Sequence, residues 1–320
     1  MRKKKDNAFF RHGKHKKKED KKHKKNRTIS MALLTTALLV SAVLCFLVYQ
    51  NLFKEKEKIQ LTNTSIENKK QNSEESKQVA AVPHDIKEEA IIGASPDSRK
   101  KYGYDAKKVQ QRLEDENFSP IDDKKVVFLT FDDGPSSYTD KVLSVLDEYD
   151  VKATFFVTGT NIENMPGRAK KIYEKGHALA NHTYSHDYDK LYPYATLNLD
   201  NFVEELERTL DIIRKDLENN NFTTKVVRCP GGYMSWSGME KLKHYAKEKE
   251  IALIDWNALN GDSEGRTKTQ EQLLECMEES SENKDMIVFL MHDTKAKTVS
   301  SLHKIIEFFK NKSYSFRILI

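Results

Sequence analysis

From residue 121 to the end of the chain, short apolar runs alternate with polar stretches of helical length, and this limits the available folds more than any other feature. The apolar runs are VVFLTFD (126–132), ATFFVTG (153–159), HALANHT (177–183), VVRCPG (226–231), ALIDWN (252–257), MIVFLMHD (286–293) and SFRILI (315–320). Between them lie segments of helical period such as KVLSVLDEY, LDNFVEELERTLDIIRKDLE and SLHKIIEFFKN. Runs that are apolar at nearly every position predict strands buried on both faces, as in a parallel sheet covered by helices. Seven such units predict an α/β domain over 121–320, built as a distorted or incomplete (β/α)7-type barrel. An open doubly wound sheet is the alternative.

The rest of the chain has a different texture. Residues 1–27 hold 14 Lys/Arg against 3 Asp/Glu, which leaves 40 basic against 46 acidic residues beyond them. The net charge of +5 therefore describes the tail and not the domain. Nucleic-acid binding calls for basic residues on a folded face with aromatics to stack bases, and the basic run offers only Phe9 and Phe10, so no nucleic-acid partner is expected. Residues 31–49 carry no charge over 19 positions, which as a helix spans about 28 Å, the hydrocarbon thickness of a bilayer. The predicted organisation is a basic cytoplasmic tail (1–29), a single transmembrane anchor (30–53), a polar extracellular stalk (54–120) with a helix over 97–118, and the domain. The basic stretch is longer than that of a cleaved signal peptide, and no small-x-small site follows the apolar run, which favours an uncleaved anchor. The three cysteines, Cys45, Cys229 and Cys276, are too scattered for a disulfide framework or a thiolate metal site, and Cys229 reads as a small buried residue at a strand end.

Polar residues capable of chemistry fall at the C-terminal ends of the predicted strands. Asp132 and Asp133 end the first, His182 the third with His186 just beyond, Arg228 the fourth, and His292 the sixth, while Asp262 follows the fifth. That edge is where α/β folds assemble their sites. His182 and His186, four apart, can face one point from a helical turn or a compact loop, and two imidazoles with a carboxylate suit a divalent metal with open positions. Thr183 stands where a zincin has its glutamate, so the base must come from elsewhere, and the Asp132–Asp133 pair is the candidate.

TFDDGPS (130–136), HTYSH (182–186), RCPGG (228–232), DWNALNGDS (255–263) and LMHDT (290–294) resemble, in order and spacing, the five motifs of the polysaccharide deacetylases, the NodB-homology domain of carbohydrate esterase family 4. The resemblance implies Asp132 as general base, Asp133, His182 and His186 as ligands of a divalent metal (usually zinc, with cobalt an alternative), Arg228 as the partner of Asp132, and His292 as general acid oriented by Asp262. It implies Leu290 in the acetyl pocket and a backbone N–H at Gly231 for the oxyanion. Gly231 and Ser263 depart from the Tyr and Trp common in the family, and Trp256 and Tyr233 are the aromatics that can stand in for the missing indole. The implied reaction is de-N-acetylation of N-acetylglucosamine in a bacterial wall glycan, either peptidoglycan or the linkage unit of a secondary wall polymer. A catalytically silent wall-binding protein is the other class, and it predicts a substituted base, acid or ligand, which the motifs do not show. A metallopeptidase lacks its glutamate.

Overall fold

The computed structural model describes residues 91–320. The elements run β1 (Ile91–Ile92), α1 (Pro96–Tyr102), β2 (Gly103–Tyr104), α2 (Ala106–Glu114), β3 (Val126–Gly134), α3 (Thr139–Glu148), β4 (Thr154–Val157), α4 (Gly159–Asn164), α5 (Arg168–Glu174) and β5 (Ala178–Asn181). They continue with α6 (Tyr188–Leu191), α7 (Leu199–Leu217), β6 (Phe222–Thr223), β7 (Val226–Val227), α8 (Glu240–Glu248), β8 (Ala252–Leu253), β9 (Ala258–Leu259), α9 (Gln270–Ser280), β10 (Met286–His292), α10 (Ala296–Asn311) and β11 (Ser315–Leu319). Each of the seven expected apolar runs contains a strand.

The strands are parallel, and their order decides between barrel and open sheet. β3 pairs with β4 and also with β10, so the first long strand of the domain lies against the last but one. From β4 the sheet continues through β5, β7 and β8, and from β10 it continues to β9. β8 and β9 follow one another in sequence, but among the described residues no ladder joins them. The result is a barrel left open at one seam, and the doubly wound alternative is excluded. β11 pairs with the first three residues of β3, where β4 does not reach.

Alternation along the strands separates two cores. Val127, Leu129 and Phe131 of β3 and Ile287, Phe289 and Met291 of β10 face the covering helices, packed with Leu143 and Leu146 of α3 and Ile305 and Phe309 of α10. Val126 and Phe128, with Met286 and Val288, point into the barrel, where Phe156, Ala180, Val226, Ala252 and Ile254 join them. Every one of these inward residues has an even number.

The boundary expected at 121 moves toward the N-terminus. Residues 91–120 are part of the domain: β1 pairs with β6, β2 pairs with β11, and Val109 of α2 is fully buried. The single helix expected over 97–118 is two. Ser95 and Asp105 cap α1 and α2 through their side chains, and extended Gly103 separates the helices. Only glycine fits there, because a Cβ would lie 2.4 Å from the Arg99 carbonyl oxygen. Among the described residues no helix is long and apolar enough to cross a membrane, and the span expected at 31–49 lies outside them.

Candidate active site

The inward rungs of the barrel continue upward into the site. Beyond Phe128 and Thr130 comes Asp132, beyond Ala180 comes His182, and beyond Val226 comes Arg228. Beyond Ile254 comes Trp256, and beyond Val288 and Leu290 comes His292. The parallel register places Asp132 directly beside His292 and Thr130 beside Leu290. A period of two thus carries apolar core residues at the bottom and ionisable residues at the top of the same inward face.

Asp133 is out of phase and would face the helices if β3 stayed regular. It does not: the β3–β4 register shifts between Asp132 and Gly134, and Asp133 adopts φ +66°. This local irregularity turns both carboxylates toward one pocket. His186 arrives by a compact loop and not by a helical turn. Thr183 and His186 take φ +66° and +54°, and Glu205 of α7 buckles the loop by accepting from the Tyr184 and Ser185 N–H groups and the Ser185 hydroxyl.

The Nε2 atoms of His182 and His186 lie 3.4 and 3.3 Å from Asp133 Oδ1. That oxygen is buried and has no aligned hydrogen-bond donor. The ligand atoms of the three residues all lie within 4.8 Å of one another. His182 Nδ1 lies 2.8 Å from the Arg228 carbonyl oxygen, a contact that orients the ring with Nε2 toward Asp133 and would leave that nitrogen to ligate a cation. An unpaired buried acceptor is costly, and two imidazoles with a carboxylate are the donor set of a borderline divalent cation, so these residues fit one. Burial opposes the charge on Asp133, but the three surrounding histidines outweigh it and hold the carboxyl well below the usual range.

Asp132 and His292 flank this cluster. Asp132 is 3% exposed, and its Oδ1 accepts from Arg228 Nη1 at 2.7 Å. Arg228 is fully buried, and it also donates to Thr130, Ile254 and Asp255 and lies over the Phe156 ring at 4.1 Å. A guanidinium with that many partners cannot swing away, so Asp132 is held in place by a charge-assisted hydrogen bond. On the other side His292 Nδ1 donates to Asp262 Oδ1 at 2.7 Å, while Asp262 accepts from the His292 backbone and the Thr298 hydroxyl. Burial alone would lower the His292 pKa, but the contact with Asp262 and the charges of Asp132 and Asp133 raise it above the ordinary histidine value. Its Nε2 points toward Asp133, 3.8 Å away.

Asp132, Asp133, His182, His186, Gly231, Trp256, Asp262, Ser263, Leu290 and His292 line one pocket of about 290 Å³, with Arg228 beneath it. Ser263 Oγ lies 3.1 Å from His292 Nδ1. A side chain at residue 231 would run into the Trp236 ring and the Tyr188 hydroxyl, 3.1 and 3.2 Å from a Cβ, which explains the glycine. Tyr233 is a correction: it does not line this pocket. Asp255 takes its N–H and the Met239 carbonyl takes its hydroxyl, which turns the ring into a neighbouring groove. Tyr188, whose exposed ring the sequence offers for stacking a sugar, also lines the pocket, while reasoning from motifs missed Leu259, Gly261 and Glu264 there, and Glu205, which carries no motif signal at all. Cys229 is buried at 2% exposure, and burial pushes its thiol up, so it is no nucleophile.

A parallel barrel whose mouth holds a hydrogen-bonded Asp–Arg pair, a His–Asp pair and a candidate cation site between them defines a hydrolase. A family profile described as polysaccharide deacetylase matches residues 120–248. The chain is similar to a Streptococcus mutans CE4 esterase, 35% identical with a TM-score of 0.64, over 72% of this chain and 96% of that one. It is also similar to the catalytic domain of a peptidoglycan N-acetylglucosamine deacetylase from Eubacterium rectale, 31% identical with a TM-score of 0.56, over 61% and 89% of the two chains. A peptidoglycan-N-acetylglucosamine deacetylase of Bacillus cereus is 29% identical over 203 residues, 61% of this chain and 69% of that protein. The chain belongs to the polysaccharide deacetylase family and is a hydrolase of C–N amide bonds.

Proposed function

We propose that the protein removes the acetyl group from N-acetylglucosamine residues of a bacterial cell-wall glycan with a divalent cation, zinc by preference, held by Asp133, His182 and His186. One observation carries the reading: in a single pocket, an orphaned Asp133 oxygen faced by two imidazoles lies between an arginine-held aspartate and an aspartate-held histidine. The relatives whose names specify peptidoglycan N-acetylglucosamine supply the substrate class.

A cation bound there supplies Lewis acidity, which polarises the acetyl carbonyl and acidifies water. The remaining chemistry belongs to the chain. Asp132, fixed by Arg228, takes a proton from the attacking water as its oxygen bonds to the carbonyl carbon. The Gly231 N–H, at the pocket wall, donates to the oxyanion, and Leu290 packs against the acetyl methyl. His292, kept protonated by Asp262, gives its proton to the nitrogen as the C–N bond breaks, which leaves acetate and a free amino sugar. Trp256 provides the aromatic wall that Ser263 lacks.

The uncharged run at 31–49 behind 14 basic residues supports an anchor that keeps the N-terminus cytoplasmic and the domain outside, within reach of the wall.

Acetate release from N-acetylglucosamine oligomers and purified walls tests the reading. Chelation should abolish it, and zinc or cobalt should restore it. Asp132→Asn should bind metal normally and lose turnover by about 10²-fold or more. Full activity in that variant removes Asp132 as the base.

A further inference from the structure

A groove of about 810 Å³ lies beside the catalytic pocket, and Trp256 lines both. It follows the seam where β8 and β9 are unpaired, with α2 along one side. The seam is finished and not a packing defect. At the β8 edge Gln110 Oε1 accepts from the Leu253 N–H, and at the β10 edge the Asn257 amide bonds to the Met286 carbonyl and the Val288 N–H. Side chains thus satisfy both open edges where a further strand would otherwise have to, and the space between them stays open.

The lining combines apolar faces with polar edges. Leu113, Phe118, Tyr233 and Trp256 present carbon surface, and Met234 stands on the rim 85% exposed. Among the described residues three large hydrophobics are exposed: Tyr188, Tyr194 and Met234. Tyr188 lines the catalytic pocket and Met234 the groove, so each of the two cavities that share Trp256 carries one exposed large hydrophobic residue. Four carboxylates, from Glu114, Glu116, Glu240 and Asp255, face two ammonium groups, from Lys243 and Lys284, which disfavours a polyanion. Aromatic and thioether faces beside hydrogen-bonding edges match a pyranose ring, with its apolar C–H faces and equatorial hydroxyls.

We propose that this seam groove binds the sugar residues adjoining the one that reacts, neutral or amine-bearing pyranose units of the same glycan chain, with Trp256 as the wall between reaction and binding. The inference rests on the deacetylase reading and adds where the polymer runs.

The test compares kcat/KM for acetate release from the disaccharide and the hexasaccharide of N-acetylglucosamine. The wild-type ratio of hexasaccharide to disaccharide should be about tenfold or higher, the gain from about 1.4 kcal/mol of extra contact. Met234→Ser removes the exposed rim, and Glu114→Trp fills the groove from the exposed end of α2; each should bring the ratio close to one. The ratio is internal to each variant, so a smaller folded fraction does not move it. A wild-type ratio near one, or a ratio unchanged in both variants, overturns the groove assignment while leaving the deacetylase reading standing. Wild-type enzyme inactive on both oligomers overturns the deacetylase reading and this inference together.

Discussion

His292 and Asp132 are register partners across β3 and β10, and each is held by a hydrogen-bonded partner of its own, Asp262 and Arg228. Arg228 fixes the position of Asp132, and although burial opposes the charge on His292, its contact with Asp262 and the charges of Asp132 and Asp133 raise its pKa. A carboxylate and an imidazole placed this close, each oriented by its own partner, can serve as base and acid in one reaction. The sign of the consequence follows from the His292 shift. An acid must be protonated to act, and its pKa is raised, so activity should be retained above the ordinary histidine value and fall as pH rises through the raised one. Asp262→Asn withdraws the charge that raises it, and the alkaline limb of kcat/KM should move toward acid. A full pH–rate profile of both proteins measures this, and an unmoved limb means another group sets it.

At the scale of elements, the site depends on a loop and on a break in a strand. The strands themselves were legible because their runs are apolar on both faces, and the parity of their inward positions extends to Asp132, His182, Arg228, Trp256 and His292. The period of two alone would turn Asp133 away from the site, and its place there was legible only from the motif and the turn that follows the strand; the register shift and positive φ that bring it round carry no periodic signal. Two-residue strands such as β9 leave no pattern to read, and Tyr233 was misplaced because two local hydrogen bonds aim it away. Glu205 was invisible for a related reason: it sits in a helix of ordinary amphipathic sequence, and only the fold brings it under the His186 loop. It binds two backbone N–H groups and one hydroxyl there, while touching no candidate metal ligand through its side chain. Glu205→Ala should loosen the loop and weaken zinc affinity by about 10- to 100-fold, the usual effect of losing an outer-shell support. Competition with a chromogenic chelator reads this directly, and unchanged affinity would show the loop to be held by its other contacts.

At the scale of the whole molecule, the folded body includes a segment whose composition reads as linker. Residues 91–120 hold four Lys, two Arg, three Asp and two Glu, and few of their side chains signal a core, yet their buried minority is placed where it matters. Ala106 and Val109 of α2 pack with Val126, Val226, Ala252 and Leu319, and Ala94 packs with Ala178 and Ile318. β2 pairs with β11, and Gln110 supplies the acceptor for the Leu253 N–H. Periodicity misses such a segment because few positions are buried in helices this short, so tertiary context decides its state. Removal of residues 1–85 should therefore leave the thermal transition of the domain nearly unchanged. Removal of residues 1–120 strips the covering from the barrel floor beside β8 and leaves a buried Leu253 N–H without its partner. The lost Val109 side chain alone represents about 1.5 to 3 kcal/mol, and the unpaired donor adds about 1 to 3 kcal/mol. A protein of marginal stability loses a large share of its folding free energy at that scale. Thermal melts of the two truncations, followed by circular dichroism, distinguish the cases. A cut at 120 that melts with the longer chain would return residues 91–120 to the stalk their composition suggests.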